Sequence, residues 1–316
     1  MQKRAFLLHT ENSNVLIGKG QSGSQIYTAL QKSSKKKVAV KEILKKGKTV
    51  AQIEDIRDMI SMYQLAQHHN VVRLEDYFES KDKFYLCLEL HQNRSLYDYV
   101  QNNEIDERKA RELAIKIAKA LEHLHSNGIL LRNLSADGIL MAGDPLEKKE
   151  YPNLIPRIAK LNKARVMGKS DAEYCVGIEG DIRYCAPEVV EGKSYNHKAD
   201  CWSYGVILFY VMTGVLPFDH TNNKGIKMSR LESKTEKFTK NVEYKICNSE
   251  PNYQLIREQG FTEECIVLVS KLLNRDPELR LTMKATNIHQ WFLKNIDYIN
   301  KSDIDKYELR DSPTFM

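Results

Sequence analysis

The sequence predicts a two-lobed α+β protein, with a small β-rich lobe leading into a larger helical one and a cleft between them. Three observations carry this. Through residue 90 the chain runs in short alternating or apolar stretches such as K-V-A-V-K-E-I at 37–43, the pattern of strands. Beyond residue 91 the apolar spacing turns to three and four, the period of helices. Residues 199–213 are apolar nearly all round, as a buried helix must be.

In chain order, residues 14–17 lead as a strand into a glycine-rich turn, and strands follow at 26–30 and 37–43. At residues 49–67 the period changes, because Val50, Ile53, Ile56, Met59, Ile60 and Tyr63 fall on one helical face. Two more strands are expected at 71–74 and 84–90, then helices that include 107–126 and 199–213. The lysine-rich, polar stretch 220–252 reads as a surface insertion. This places a β-rich lobe at 1–90, a helical lobe at 91–295 and a charged tail at 296–316.

Composition narrows the function classes. The 316 residues are 42% hydrophobic, enough for a sizeable core. No apolar run approaches the ~20 residues of a membrane-spanning helix, and the apolar part of M-Q-K-R-A-F-L-L is too short for a secretory signal, so a cytoplasmic or nuclear protein without membrane contact is expected. Cys87, Cys175, Cys185, Cys201, Cys247 and Cys265 show no C-x-x-C pairing and read as free thiols. The net charge of +6 resides in lysine clusters such as Lys45-Lys46-Gly47-Lys48, without interleaved aromatics. That pattern suits solvated turns rather than nucleic-acid binding.

Several constellations carry chemistry. Gly18, Gly20 and Gly23 have the G-x-G-x-x-G spacing, which lets backbone approach phosphate, although a hairpin turn explains it as well. Lys41 lies among apolar neighbours in V-A-V-K and needs a partner, either a carboxylate or a phosphate. Asp55, on the same stripe of the following helix as Met59, is a candidate carboxylate.

From about residue 14 to 293 the chain resembles the eukaryotic protein kinase family, most closely its serine/threonine branch. The resemblance rests on Leu86-Cys87-Leu88-Glu89-Leu90, Leu124-His125-Ser126-Asn127-Gly128-Ile129, Tyr184-Cys185-Ala186-Pro187-Glu188, Asp200-Cys201-Trp202-Ser203-Tyr204-Gly205, Thr213-Gly214 with Pro217-Phe218, and Asp276-Pro277 with Arg280. It implies a bilobal protein-kinase-like fold with Glu188 paired to Arg280. It also implies a nucleotide site at Gly18, Gly20, Gly23, Ile26, Ala39, Lys41, Glu89 and Leu140, with ATP as the ligand.

The catalytic positions depart from the family. Against H-R-D-L-K-P-E-N the chain reads L-R-N-L-S-A-D-G, which puts Asn133 at the base, Ser135 at the lysine and Gly138 at the second metal ligand. Against D-F-G it reads Lys160-Leu161-Asn162, a cation where the main magnesium ligand belongs. Met59 replaces the glutamate that should meet Lys41, and Asp181 the threonine that braces the base. The resemblance therefore implies a degenerate member, a pseudokinase without magnesium, working as a scaffold or allosteric partner of another protein such as an active kinase. Lys160 either meets phosphate oxygens or fills the pocket. The alternative is a weak, unorthodox serine/threonine kinase with Asp137 or Asp181 as a displaced base. Tyr63, Leu74, Leu131 and Leu161 keep an apolar column between the lobes, and Arg132 either clasps a phosphate on Ser170, Tyr174 or Tyr184 or pairs with backbone or Asp181.

Overall fold

The computed structural model describes residues 6–7, 16–19, 24–31, 36–91, 95–143, 154–167, 175–219 and 235–294. Gly20, Gly23, Ser170, Tyr174, residues 220–234 and the tail 296–316 lie outside the described residues. The fold is the bilobal one expected.

The N-lobe sheet contains β1 (Phe6–Leu7), β2 (Leu16–Lys19), β3 (Gln25–Gln31), β4 (Lys37–Leu44), β5 (Leu74–Glu79) and β6 (Lys83–Glu89). It is antiparallel, in the order β1-β3-β4-β6-β5, with β2 sharing one edge of β3 with β1. Alternation in β4 explains its two faces. Val38 and Val40 join Ala29 and Cys87 in a small outer cluster, against which Phe78 and Tyr85 stack. Ile43, on the opposite face, enters the main core.

Helix α1 (Val50–Leu65) begins at a capping box, in which Thr49 accepts from Gln52 N and the Gln52 side chain accepts from Thr49 N. It buries Ile56, Met59, Ile60, Met62 and Tyr63, the face its spacing predicts. The Tyr63 hydroxyl donates to Ala159 O at 3.0 Å, tying the helix to the C-lobe.

The strand expected at 71–74 is misplaced. Residues 70–72 instead clasp the C-lobe: Val71 bridges Ile158, Val72 N donates to Ile158 O, and Asn70 Nδ2 donates to Pro156 O. The strand proper starts at Leu74 and runs L-E-D-Y-F-E, where charged residues mask the alternation. The first glycine-rich strand, expected to end at residue 17, runs on to Lys19.

The C-lobe continues with α2 (Leu96–Asn102), α3 (Glu107–Ser126), β7 (Ile129–Leu130), β8 (Ile139–Ala142), β9 (Ile155–Ile158) and β10 (Arg165–Val166). Then come α4 (Pro187–Val190), α5 (Lys198–Thr213), α6 (Glu236–Asn248), α7 (Gln254–Glu258), α8 (Glu263–Leu272), α9 (Met283–Asn287) and α10 (Gln290–Leu293). Among the described residues no helix is long and apolar enough to cross a membrane, and all six cysteines are free thiols. Helix α5 is buried on every side. At Gly205 a Cβ would stand 2.9 Å from Leu272 Cβ, so glycine lets α5 and α8 approach. The surface insertion expected at 220–252 needs narrowing, since α6 anchors its second half by burying Val242 and Ile246.

Two buried ionic contacts brace this lobe. Arg280 meets Glu188 with a two-pronged pair, at 2.6 and 2.9 Å, as the motif spacing implied. Asp200, on α5, accepts from the consecutive amides of Leu131 at 2.8 Å and Arg132 at 3.0 Å, and meets His125 Nε2 at 3.0 Å. Burial works against a charge on His125, but its interactions with Asp200 and Cys201 together outweigh it and raise the pKa to about 9. A group whose folded pKa is raised contributes stability that is complete below its unfolded value and lost as pH rises through the folded one. Unfolding free energy should therefore fall by roughly 1–3 kcal/mol as pH climbs from the histidine's usual range past 9, and His125→Gln should flatten that slope in urea titrations.

Candidate active-site cleft

The nucleotide positions described sit on the sheet and on β8. Gly18 pairs in register with Ile26, Ile26 with Lys41, Ala39 with Leu88, and Lys41 with Leu86. Ala39 is buried, and Leu140, on β8, is half-buried. Glu89 ends β6, and its carboxylate takes the Arg157 guanidinium at 3.1 Å and His91 Nε2 at 3.6 Å. Desolvation opposes the Glu89 charge, but these partners hold its pKa at about 2.

Lys41 differs from its expectation. The proposed pair with Asp55 does not form: Asp55 is exposed, lining a cavity of about 330 Å³ outside α1. Met59, buried at the position where a carboxylate was missing, gives Lys41 no partner either. Desolvation pulls the Lys41 pKa below the usual lysine range, with no carboxylate opposing it.

The loop after β7 is held by Asp200 in a shape that puts Arg132 at φ 62°, a left-handed conformation unusual for a non-glycine residue. Asn133 packs its amide against Gly180, whose φ of 90° and lack of a Cβ make the room. Ser135 is buried, and its carbonyl accepts from Gly138 N at 2.8 Å, closing the short turn Ala136–Gly138. Gly138 O in turn accepts from Ala159 N at 2.9 Å, which places Lys160 directly beside the turn.

Asp181 is not available as a base, because the Arg183 guanidinium grips it with bonds of 2.6 to 3.1 Å. Nor does it pair with Arg132, whose Nε donates to Lys163 O at 2.8 Å; the backbone alternative is the one realised. Asp137 lies in the short turn, its pKa raised by desolvation against the pull of Lys160 and Arg183. Tyr184 is buried with its hydroxyl unbonded among the described residues, so it is no accessible phosphorylation site. Of the apolar column, Tyr63, Leu131 and Leu161 are fully buried and Leu74 packs partly buried against them.

Glu179 escaped sequence reasoning. It pairs with Lys163 at 2.7 Å and lies 3.9 Å from Arg132. Arg157 at Glu89 was missed as well. Both join residues far apart in sequence with no spacing rule, so no local signal announced them.

The protein kinase domain family model matches residues 12–292. The chain belongs to this family. It is 31% identical over 282 residues to a probable myosin light chain kinase of Dictyostelium discoideum, covering 87% of this chain and 79% of the relative. It is 30% identical over 298 residues to CBL-interacting protein kinase 5 of Oryza sativa subsp. japonica, covering 93% of this chain and 58% of the relative. To the serine/threonine-protein kinase SIK1 of Rattus norvegicus it is 26% identical over 291 residues, 91% of this chain but 33% of the relative. The chain thus spans most of the first relative and only part of the other two.

At the family's two metal-ligand positions stand Gly138, which has no side-chain donor, and Lys160, which brings a positive charge. Lys41 is half-buried, makes no ion pair among the described residues, and lies beside the buried Ala39. In the ligand-free protein, Lys41→Met should raise the unfolding free energy, because it removes a charge that desolvation disfavours. Because the lysine's folded pKa is lowered, its penalty is complete below that folded pKa and vanishes as pH rises past the unfolded value of 10.5. The stability gap between variant and wild type should close over that range in denaturation at stepped pH.

Proposed function

We propose that this member of the protein kinase domain family does not transfer phosphate and acts by binding, as a scaffold or allosteric partner in signalling. An active protein kinase is the partner put forward first, and ATP the small ligand. The observation that carries this reading is Lys160 resting on Gly138, two metal-ligand positions replaced together by a cation and by hydrogen. Asn133 adds to it, since an amide cannot accept the proton of an incoming hydroxyl; loss of a positioned base costs on the order of 10²–10⁴ in rate. Losing charge neutralisation at the phosphates costs several kcal/mol more, and the losses fall on parts that act together, so they do not simply add.

The competing reading is a weak serine/threonine kinase; of the relatives, SIK1 carries serine/threonine kinase in its name. Asp181 is bound to Arg183, which leaves Asp137 as the base such a reading requires. Asp137 stands in the Ala136–Gly138 turn, with Lys160 among the charges that act on it. The binding reading keeps every apolar contact between the lobes and asks nothing of these groups.

Purified protein given γ-labelled ATP with magnesium or manganese should transfer no label to a protein substrate beyond the background of Lys41→Met. Combining Asn133→Asp, Gly138→Asn and Lys160→Asp should bring measurable transfer. Label transfer by the wild type that Lys41→Met abolishes would establish the competing reading.

A further inference from the structure

Gly138 and Lys160 occupy one small space. A Cβ built on Gly138 would stand 3.2 Å from Lys160 Cδ, 3.5 Å from Lys160 Cγ and 3.3 Å from Ser135 Oγ. The lysine stem therefore lies in the room that a side chain at 138 would take, and it can lie there because 138 is glycine. Lys160 as a whole nevertheless remains exposed, so its stem packs on Gly138 without the residue being buried. Like Lys41, it makes no ion pair among the described residues. Asp137 is near enough to feel its field but is not bonded to it. The cleft thus offers two ammonium groups, one from each lobe, at positions where the family uses one lysine and metal-bound carboxylate.

We propose that Lys160 stands in for the divalent cation, so that this cleft binds a nucleoside triphosphate free of metal, its phosphates held between Lys41 and Lys160. The proposal rests on the reading of the chain as a binding protein and deepens it by naming the form of the ligand. Charge decides that form. A metal-free triphosphate keeps the negative charge that a divalent cation would partly cancel, and two ammonium groups attract the more highly charged species. A metal carried in with the nucleotide would meet Lys160 where it needs a carboxylate, and the like charges repel.

Calorimetric titration of the full chain separates the outcomes. ATP in EDTA should bind, and should bind more tightly than ATP with excess magnesium. Lys160→Met, which keeps the stem on Gly138 and removes the charge, should weaken metal-free binding by about tenfold or more, the scale of one charge-assisted contact. Lys160→Arg should retain it, and adenosine should bind wild type and Lys160→Met alike. Inorganic tripolyphosphate should bind more weakly than ATP. Binding only with magnesium, no binding in EDTA, an unchanged Lys160→Met, or tripolyphosphate equal to ATP would each overturn the proposal. A chain that binds no ATP and transfers no phosphate would sink this inference and the choice of ATP as ligand, leaving the scaffold reading; a chain that transfers phosphate would sink the reading beneath it.

Discussion

The carboxylate of Asp200 accepts hydrogen bonds from two consecutive backbone amides, those of Leu131 and Arg132, and this constraint shapes the centre of the protein. Arg132 is held left-handed, a conformation that costs a non-glycine residue roughly 1–2 kcal/mol. Charge-assisted bonds to amides, with His125 locked on the same carboxylate, are strong enough to hold it. The bend sets where Asn133, Ser135 and Gly138 fall and thereby how the cleft floor is made. Because it relies on backbone groups, it is indifferent to the side chains that follow. Asn133 and Ser135, standing where an acid and a lysine are expected, lie on a loop whose start Asp200 fixes through backbone amides.

This separation of scaffold from chemistry runs through the molecule. Arg280 with Glu188, Tyr63 with Ala159, and the clasp of residues 70–72 on Ile158 all use groups that hold shape. They link helix α1, the sheet and the C-lobe. The charged groups of the cleft are another matter. Lys41 lacks a carboxylate, Lys160 brings a second cation, and Asp181 is bound by Arg183. Positive charge in a site that lacks metal-holding carboxylates favours an anion and disfavours a cation, whatever the surrounding fold was built for.

Much of this was legible in the sequence where a period or a motif spoke. Helix α3 was read to its exact ends, since its apolar stripe runs unbroken between an Asp106 cap and Asn127. The Arg280–Glu188 pair followed from motif register. Residues 71–74 misled because a short apolar run looks alike in a strand and in a buried clasp, and only the partner, Ile158, distinguishes them. The Lys41–Asp55 pair failed for a related reason: helical periodicity says which residues share a stripe, not how far along the helix axis the stripe reaches the sheet. At the site, residue identity revealed what was missing, while the packing of Lys160 onto Gly138 is a property of the fold that no spacing announces.

The central claim is that no protein oxygen in this cleft is placed to bind a divalent cation. The direct measurement is an anomalous difference map at the manganese edge, from crystals grown with ATP and soaked in excess manganese. The account predicts no manganese peak bonded to a protein carboxylate or amide between the lobes. A peak with Asp137 or Asp181 among its ligands, the latter freed from Arg183, would contradict it.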